Sequence, residues 1–394
     1  MKKSIKNGLM AIAVLATASS QAATWKAGNT DLTFKGYIKL DWVHVEGAGS
    51  NAALSKQITT PSQISEDSTG GRNGFQILQS RFGFGTSTPT EMGVAKSYIE
   101  MDYYLSPGGT ETISNSSNPR LRHAFFNVGE WTFGQTWSTF MFLPGFNEQL
   151  DFGGYAGTNF VRQSMIRYSK KMGTWKVEAA LENAETTSGT GTDSTVDNPS
   201  TTTNEATTIA TDSDSFPDII ARVSNSGDYG SFAVSAMLRK HNSDEVGKDD
   251  TGLALTAGAK INYSGKSNIR MSVSQGNLGR YGSFTAFKDA VIVNDSKVEA
   301  TKAFQFHAGI QQYLSHKLRF NVDYGMGKMD TFTSLGIENV NMIHVNLIRQ
   351  AMKNFQYGVE WSKTNVERFG SLKTDAKAKE VSSNRYMFSA QYSF

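Results

Sequence analysis

The chain closes on YMFSAQYSF (386–394), where Tyr386, Phe388, Ala390, Tyr392 and Phe394 alternate with Met387, Ser389, Gln391 and Ser393. Strict alternation describes a β-strand with one apolar and one polar face. The edge of a soluble sandwich and a strand of a membrane barrel both satisfy that pattern, so the rest of the chain has to separate them.

Composition narrows the choice. There is no Cys in 394 residues, which removes disulfide staples, thiolate metal sites and Cys nucleophiles. Hydrophobic residues make up only 38% and mean hydropathy is −0.38, yet aromatics reach 11%, with 37 Gly against 7 Pro. Such a chain is either a large soluble β protein or a transmembrane barrel whose water-facing half hides its strands from a hydropathy scan. The opening MKKSIKNGLMAIAVLATASSQA (1–22) places Lys2, Lys3 and Lys6 before an apolar run from Leu9 to Ala18. That run is short of the ~20 residues of a spanning helix and reads as a secretory signal peptide cleaved after Ala22. Residues 23–394 are then expected to form a single exported domain. The three signal lysines account for the formal net charge of +3, so the mature chain is neutral and local charge placement carries the electrostatics.

Alternating segments lie near 32–45, 75–87, 93–105, 118–128, 131–137, 160–170, 174–184, 217–225, 229–240, 251–263, 267–278, 302–314, 316–329, 338–350, 354–366 and 383–394. These sixteen strands are joined by connections that alternate in length. Some are as brief as GE (129–130) and MK (352–353), while the others span 46–74, 106–117, 138–159, 185–216, 241–250, 279–301, 330–337 and 367–382. Long and short turns alternate in this way when every second turn faces the periplasm and the rest face outside. A Greek-key sandwich has no reason to keep that parity. The expected fold is therefore all-β, a 16-stranded antiparallel transmembrane β-barrel in the bacterial outer membrane, surrounded by its lipid. The last strand must pair with the first so that no open edge meets lipid. Tyr392 and the terminal Phe394 resemble the C-terminal signal by which outer-membrane proteins are recognised by the assembly machinery. The stretch 183–215 is Thr/Ser-rich, acidic and without periodicity, which marks a low-complexity extracellular loop.

Strand parity sorts side chains into lipid and lumen sets. Thirteen basic residues fall inward: Lys35, Lys39, Arg81, Lys96, Arg120, Arg122, Lys176, Arg222, Arg239, Lys260, Arg270, Arg319 and Arg385. Eight acids share that side: Asp41, Glu100, Asp102, Glu178, Glu182, Asp218, Asp323 and Glu360. Each Arg or Lys turned outward near the bilayer midplane would cost about 2–4 kcal/mol. A net positive lumen concentrates anions. Arg81, Arg120, Arg122 and Arg162, on the second, fourth and sixth strands, mark one sector as a basic constriction. Arg162 and Arg167 have opposite parity, which predicts a β-bulge between them. The long connection 138–159, STFMFLPGFNEQLDFGGYAGTN, is aromatic and Gly-rich. Exposed to water it would gain nothing, so it is expected to fold inward and narrow the pore, with Glu148 and Asp151 facing the arginines.

SRFGFGTSTPT (80–90), LRHAFFNVGEWTFGQTWSTFM (121–141) and VRQSMIRYS (161–169) resemble the DcaP-like porins of Gram-negative bacteria. The resemblance is densest in the first half of the chain. It implies a homotrimer of sixteen-stranded barrels that admits small anionic solutes, dicarboxylates included. Arg81, Arg120, Arg122 and Arg162 would form one side of the constriction and loop 138–159 the other. Some members carry an N-terminal coiled coil. Here about ten residues without heptads separate the expected cleavage site from the first strand, so that extension is not carried over.

Other chemistries find little footing. His44, His123, His241, His307, His316 and His344 are scattered without metal-ligand spacing, and no GxSxG elbow occurs. GMGKMD (325–330) lacks the spacing of a phosphate loop. No catalytic residue, cofactor, metal or nucleic-acid partner is expected. Passive diffusion of small hydrophilic, preferentially anionic solutes is the favoured function. A surface receptor or adhesin using the long loops is the alternative, with an outer-membrane barrel enzyme behind it.

Overall fold

The computed structural model describes residues 22–47, 64, 71–104, 117–154, 156–190, 210–211, 214–243, 247–293, 297–331, 336–369 and 380–394. Residues 1–21 of the expected signal peptide (1–22) and most of the low-complexity stretch lie outside them. Sixteen antiparallel strands close into a barrel. They are β1 (Thr30–Gly47), β2 (Arg72–Gln76 continued by Arg81–Thr90), β3 (Gly93–Asp102), β4 (Arg120–Val128), β5 (Trp131–Trp137), β6 (Arg162–Met172), β7 (Trp175–Glu182) and β8 (Asp218–Gly227). The second half comprises β9 (Gly230–Ser243), β10 (Lys248–Ser264), β11 (Ser267–Gly276), β12 (Ala303–Tyr313), β13 (Leu318–Met329), β14 (Ile337–Met352), β15 (Phe355–Arg368) and β16 (Glu380–Ser393). A short strand, Ala23–Ala27, precedes β1 and hairpins onto it.

Closure runs through the terminal segment quoted above. β16 pairs with β1 from Tyr37↔Ser393 to Gly47↔Ser383. Phe394 and Gly36 then exchange backbone hydrogen bonds of 3.0 Å in both directions. Gly36 is required by this approach, because a Cβ there would lie 2.3 Å from the Arg81 carbonyl oxygen and 3.0 Å from the Phe394 ring. The seam leaves no unpaired edge in the hydrocarbon, where an unsatisfied backbone group costs several kcal/mol. All short turns lie at the Phe394 end, which is therefore periplasmic.

The faces sort as parity requires: Ile38 and Leu40 are 60% and 42% exposed, while Lys39 and Asp41 between them are buried. The predicted bulge is elsewhere. The β5–β6 register runs unbroken from Trp131↔Tyr168 to Trp137↔Arg162. The irregularity falls in β4, where pairing passes from Glu100↔His123 to Met101↔Leu121 and skips Arg122. The extra residue lets Arg122 and His123 both turn inward.

The lumen is not an open polar tube. Residues 138–154 and 156–159 fold inside, and so do 277–293 and 297–302, around a connection (279–301) that the sequence reading treats as one more long extracellular loop. The two meet at an isolated bridge, Asn159↔Gly282, and Ser283 N–H donates to the Thr158 carbonyl at 3.0 Å. Phe140, Leu278, Tyr281 and Phe287 pack with inward wall residues Ile220, Met237, Met329 and Met342 into an apolar core within the barrel. Ser283, Phe284 and Thr285 hold positive φ of 45°, 56° and 62°. This conformation is costly for non-Gly residues and seats Phe284 on Phe160, with ring centroids 4.8 Å apart. Part of the low-complexity loop is also ordered. Thr186–Thr190 joins Ala210–Thr211, Ala290–Val293 and Lys297–Ala300 in a small four-stranded sheet, with a parallel pairing from Ser188↔Ala290 to Thr190↔Ile292.

Candidate solute-binding site in the lumen

The inward segment after β5 runs round the inside of the wall and is fastened at nearly every step. Thr139 N–H donates to Glu182 of β7 at 2.6 Å, and Arg222 of β8 donates to the Met141 carbonyl at 2.8 Å. Arg270 of β11 binds the Phe146 carbonyl, and Asn147 donates to Asp323 of β13 at 3.1 Å. The backbone N–H groups of Leu150 and Asp151 donate to Glu360 of β15 at 2.8 and 3.0 Å. Lys39 of β1 donates to the Leu150 carbonyl at 2.5 Å. The segment thereby brings Phe152 to the arginines.

Arg120 forms a forked pair with Asp102 at 2.9 and 2.8 Å. Arg122 bonds Glu100 at 2.7 Å and Asp102 at 2.8 Å, and Arg81 lies 3.5 Å from Glu100. Phe152 stacks on Tyr104 at 4.9 Å and faces Arg81, Arg120 and Arg122, whose guanidinium carbons lie 5.7, 5.7 and 5.1 Å from its ring centre. Arg162 opens β6, where the chain rises from the inward segment. Its guanidinium lies 4.5 Å from the centre of the Trp137 ring and 5.9 Å from that of Phe160. Among the described residues no carboxylate lies within ion-pair distance of Arg162. The four predicted arginines thus converge, and with only Glu100 and Asp102 between them they leave the sector positive.

A cavity of about 130 Å³ is lined by Tyr37, Arg81, Arg122, His123 and Trp137 on the wall and by Phe146 to Phe152 of the inward segment. Glu148 and Asp151 line it too, but each is held by a wall arginine. Glu148 is clamped by Arg319, and Asp151 lies 3.3 Å from Arg385. Their charge is compensated where it stands. The other lumen cations named from the sequence have their own neighbours. Lys39 pairs with Asp41 at 3.2 Å, Arg222 with Glu178, and Arg239 with Asp218 at 3.3 Å and with Asp289. Arg270 also donates to Asn268 at 2.6 Å. Lys35 sits 4.7 Å from the centre of the Tyr98 ring, and Lys96 lies on the same face of β3 as Glu100. Much of the positive excess counted from sequence is therefore neutralised at short range, and the Arg162 corner keeps its share.

Sequence reasoning did not single out His123, Trp137, Tyr104 or Phe152, nor Arg280 and Asp289 of the second inward segment. Asp289 accepts hydrogen bonds from the Thr187 N–H at 2.7 Å and the Arg280 N–H at 2.9 Å, and it pairs with Arg239. Burial alone would raise its pKa, but Arg239 and Arg280 hold it down to about 2. The one available signal was NLGRYGSFTAF (277–287), which shares the Gly and aromatic character of the first inward segment.

The sequence profile of the DcaP outer membrane protein family matches residues 5–200. No curated protein matches the chain. Among solved structures, the outer membrane channel DcaP of Acinetobacter baumannii superposes with a TM-score of 0.78 at 21% identity, covering 94% of this chain and 100% of that one. OmpT of Vibrio cholerae gives 0.59 at 12% identity over 94% and 100% of the two chains. An anion-selective porin from Comamonas acidovorans gives 0.55 at 12% identity over 93% and 100%.

Proposed function

Because the chain belongs to the DcaP outer membrane protein family, whose fold it shares, we propose that it is a porin for passive diffusion of small hydrophilic, preferentially anionic solutes, dicarboxylates among them. One observation carries this reading. At the arginine sector, Arg81 Nε, His123 Nε2, Trp137 Nε1 and Arg162 Nη1 are buried without a hydrogen-bond partner. A buried polar group left unmade costs about 1–3 kcal/mol. Three of these four atoms can only donate, and the imidazole nitrogen can donate in one tautomer. The group that completes the set is an acceptor, and a carboxylate or other oxyanion gains charge-assisted bonds there. The inward segment narrows the lumen to this corner, so Arg81, Arg120, Arg122 and Arg162 act as the basic side of the constriction. The segment with Phe152, Glu148 and Asp151 acts as the other. Assembly as a homotrimer, with Tyr392 and Phe394 read by the insertion machinery, belongs to the same reading.

Liposome swelling tests it. Proteoliposomes exposed to a small aliphatic dicarboxylate should swell faster than those exposed to a neutral sugar or a diamine of similar size. Equal rates, or a faster diamine, would count against the anion reading.

A further inference from the structure

The lumen is electrically uneven along its axis. Toward the periplasmic end Arg319, the second residue of β13, is clamped by Glu148, and Arg270, the fourth residue of β11, is held by Asn268 and the Phe146 carbonyl. Four inward lysines share that end. Lys35 precedes Gly36, the partner of Phe394; Lys96 stands three residues beyond the first residue of β3; Lys171 is the penultimate residue of β6; Lys260 is four residues from the end of β10. At about 3.3 Å per residue, each lies within roughly 17 Å of the periplasmic rim. Among the described residues none of the four has a carboxylate at ion-pair distance. The inward acids at that end are occupied. Asp31 lies 3.8 Å from Lys26, and Glu178 is shared by Lys176, Arg167 and Arg222.

Register makes the clustering costly. Lys171 stands directly opposite Lys176, and Lys260 directly opposite Arg270. Like charges in directly opposed positions destabilise a sheet. The fold therefore carries repulsion at this end that simple wall-lining does not need.

We propose that these lysines form a periplasmic collar that makes anion flow rectify, so that anions enter more readily from the periplasmic mouth than from outside. The inference rests on the anion-conducting reading above. A positive vestibule on one side raises the local anion concentration at that mouth alone. Voltage that drives anions inward from the collar draws on the enriched pool, whereas the opposite polarity draws on an unenriched one. Salt erases the difference, because the Debye length shrinks from about 10 Å at 0.1 M to about 3 Å at 1 M.

Single channels of known orientation test it. The native chain lacks Cys, so a Ser264→Cys variant labelled with biotin marks the periplasmic turn, and streptavidin added to one chamber identifies the side. At 0.1 M salt the current with anions driven from the periplasmic side should exceed the reverse by about 1.5- to 2-fold, with the asymmetry vanishing near 1 M. Replacing Lys35, Lys96, Lys171 and Lys260 together by Ala should bring the ratio near unity while the reversal potential stays anion-preferring. Replacement by Arg should keep the asymmetry. A symmetric native current at 0.1 M overturns the collar without recourse to any variant, as does an asymmetry that survives the Ala replacements. A cation-preferring reversal potential overturns instead the reading on which the collar rests.

Discussion

Replacing Arg162 by Gln removes one guanidinium from the basic sector without stranding an acid. That makes it a clean probe, because the other arginines are tied to Glu100 and Asp102. With four guanidinium groups and two carboxylates, the sector falls from an excess of two positive charges to one. A solute carboxylate about 5 Å from a unit charge gains about 3 kcal/mol at an effective dielectric of 20, and about half that where channel water contributes. The smaller figure corresponds to roughly a tenfold loss of anion occupancy. The permeability ratio of chloride or succinate to potassium should drop by about three- to tenfold, with the folded yield unchanged. Arg122→Gln behaves differently. Arg122 is 2% exposed and bonded to both acids, so its loss breaks a buried network at about 3–5 kcal/mol and lowers folded yield as well. The assay is bilayer reversal potential in parallel with heat-modifiable gel mobility. An Arg162→Gln channel with native selectivity would refute the assignment of Arg162 as the uncompensated charge.

Further outcomes follow from individual contacts. Phe152→Ala removes a ring facing three guanidinium groups, each contact worth about 0.5–2 kcal/mol; single-channel conductance should rise while anion preference persists, and a lower conductance would contradict the placement of the ring in the pore. Gly36→Val puts a Cβ against the Arg81 carbonyl at the closing seam, so the fraction migrating as folded barrel in unheated gels should fall; wild-type mobility would contradict the closure geometry. Asp289 has its folded pKa depressed to about 2, so its stabilisation is present above the ordinary carboxylate pKa near 4 and is lost as pH falls through about 2, amounting to about 2–3 kcal/mol. Protease access to the 277–302 segment should therefore increase over that acid window in the native chain and be high already at pH 7 in Asp289→Asn; equal protection of the two at neutral pH would contradict the latch.

The barrel was legible because its constraint is local. Each strand must alternate, so Tyr386 to Phe394 and the fifteen segments before it could be counted by eye, and the inward cations Lys39, Arg81 and Arg319 followed from parity. What parity cannot show is where a strand slips. The extra residue at Arg122 belongs to the pairing of β3 with β4, a property of two strands together. A composition argument found the inward segment 138–159, but 277–302 went unnoticed because its aromatic residues are fewer and its polar flanks resemble a surface loop. The lumen charge was overstated for the same reason that the bulge was misplaced. Which arginine meets which acid depends on cross-strand register and on loop anchoring, so the Glu148 pairing with Arg319 and the Asp151 pairing with Arg385 join residues that no sequence spacing relates.

The central claim is that the lumen selects anions through a guanidinium corner that has donors to spare. The most direct measurement is the reversal potential of the purified native protein in a planar bilayer under a tenfold salt gradient. The account predicts a potential of the sign set by anion flow, growing as the salt concentration on both sides is lowered. A potential near zero or of the cation sign would contradict it.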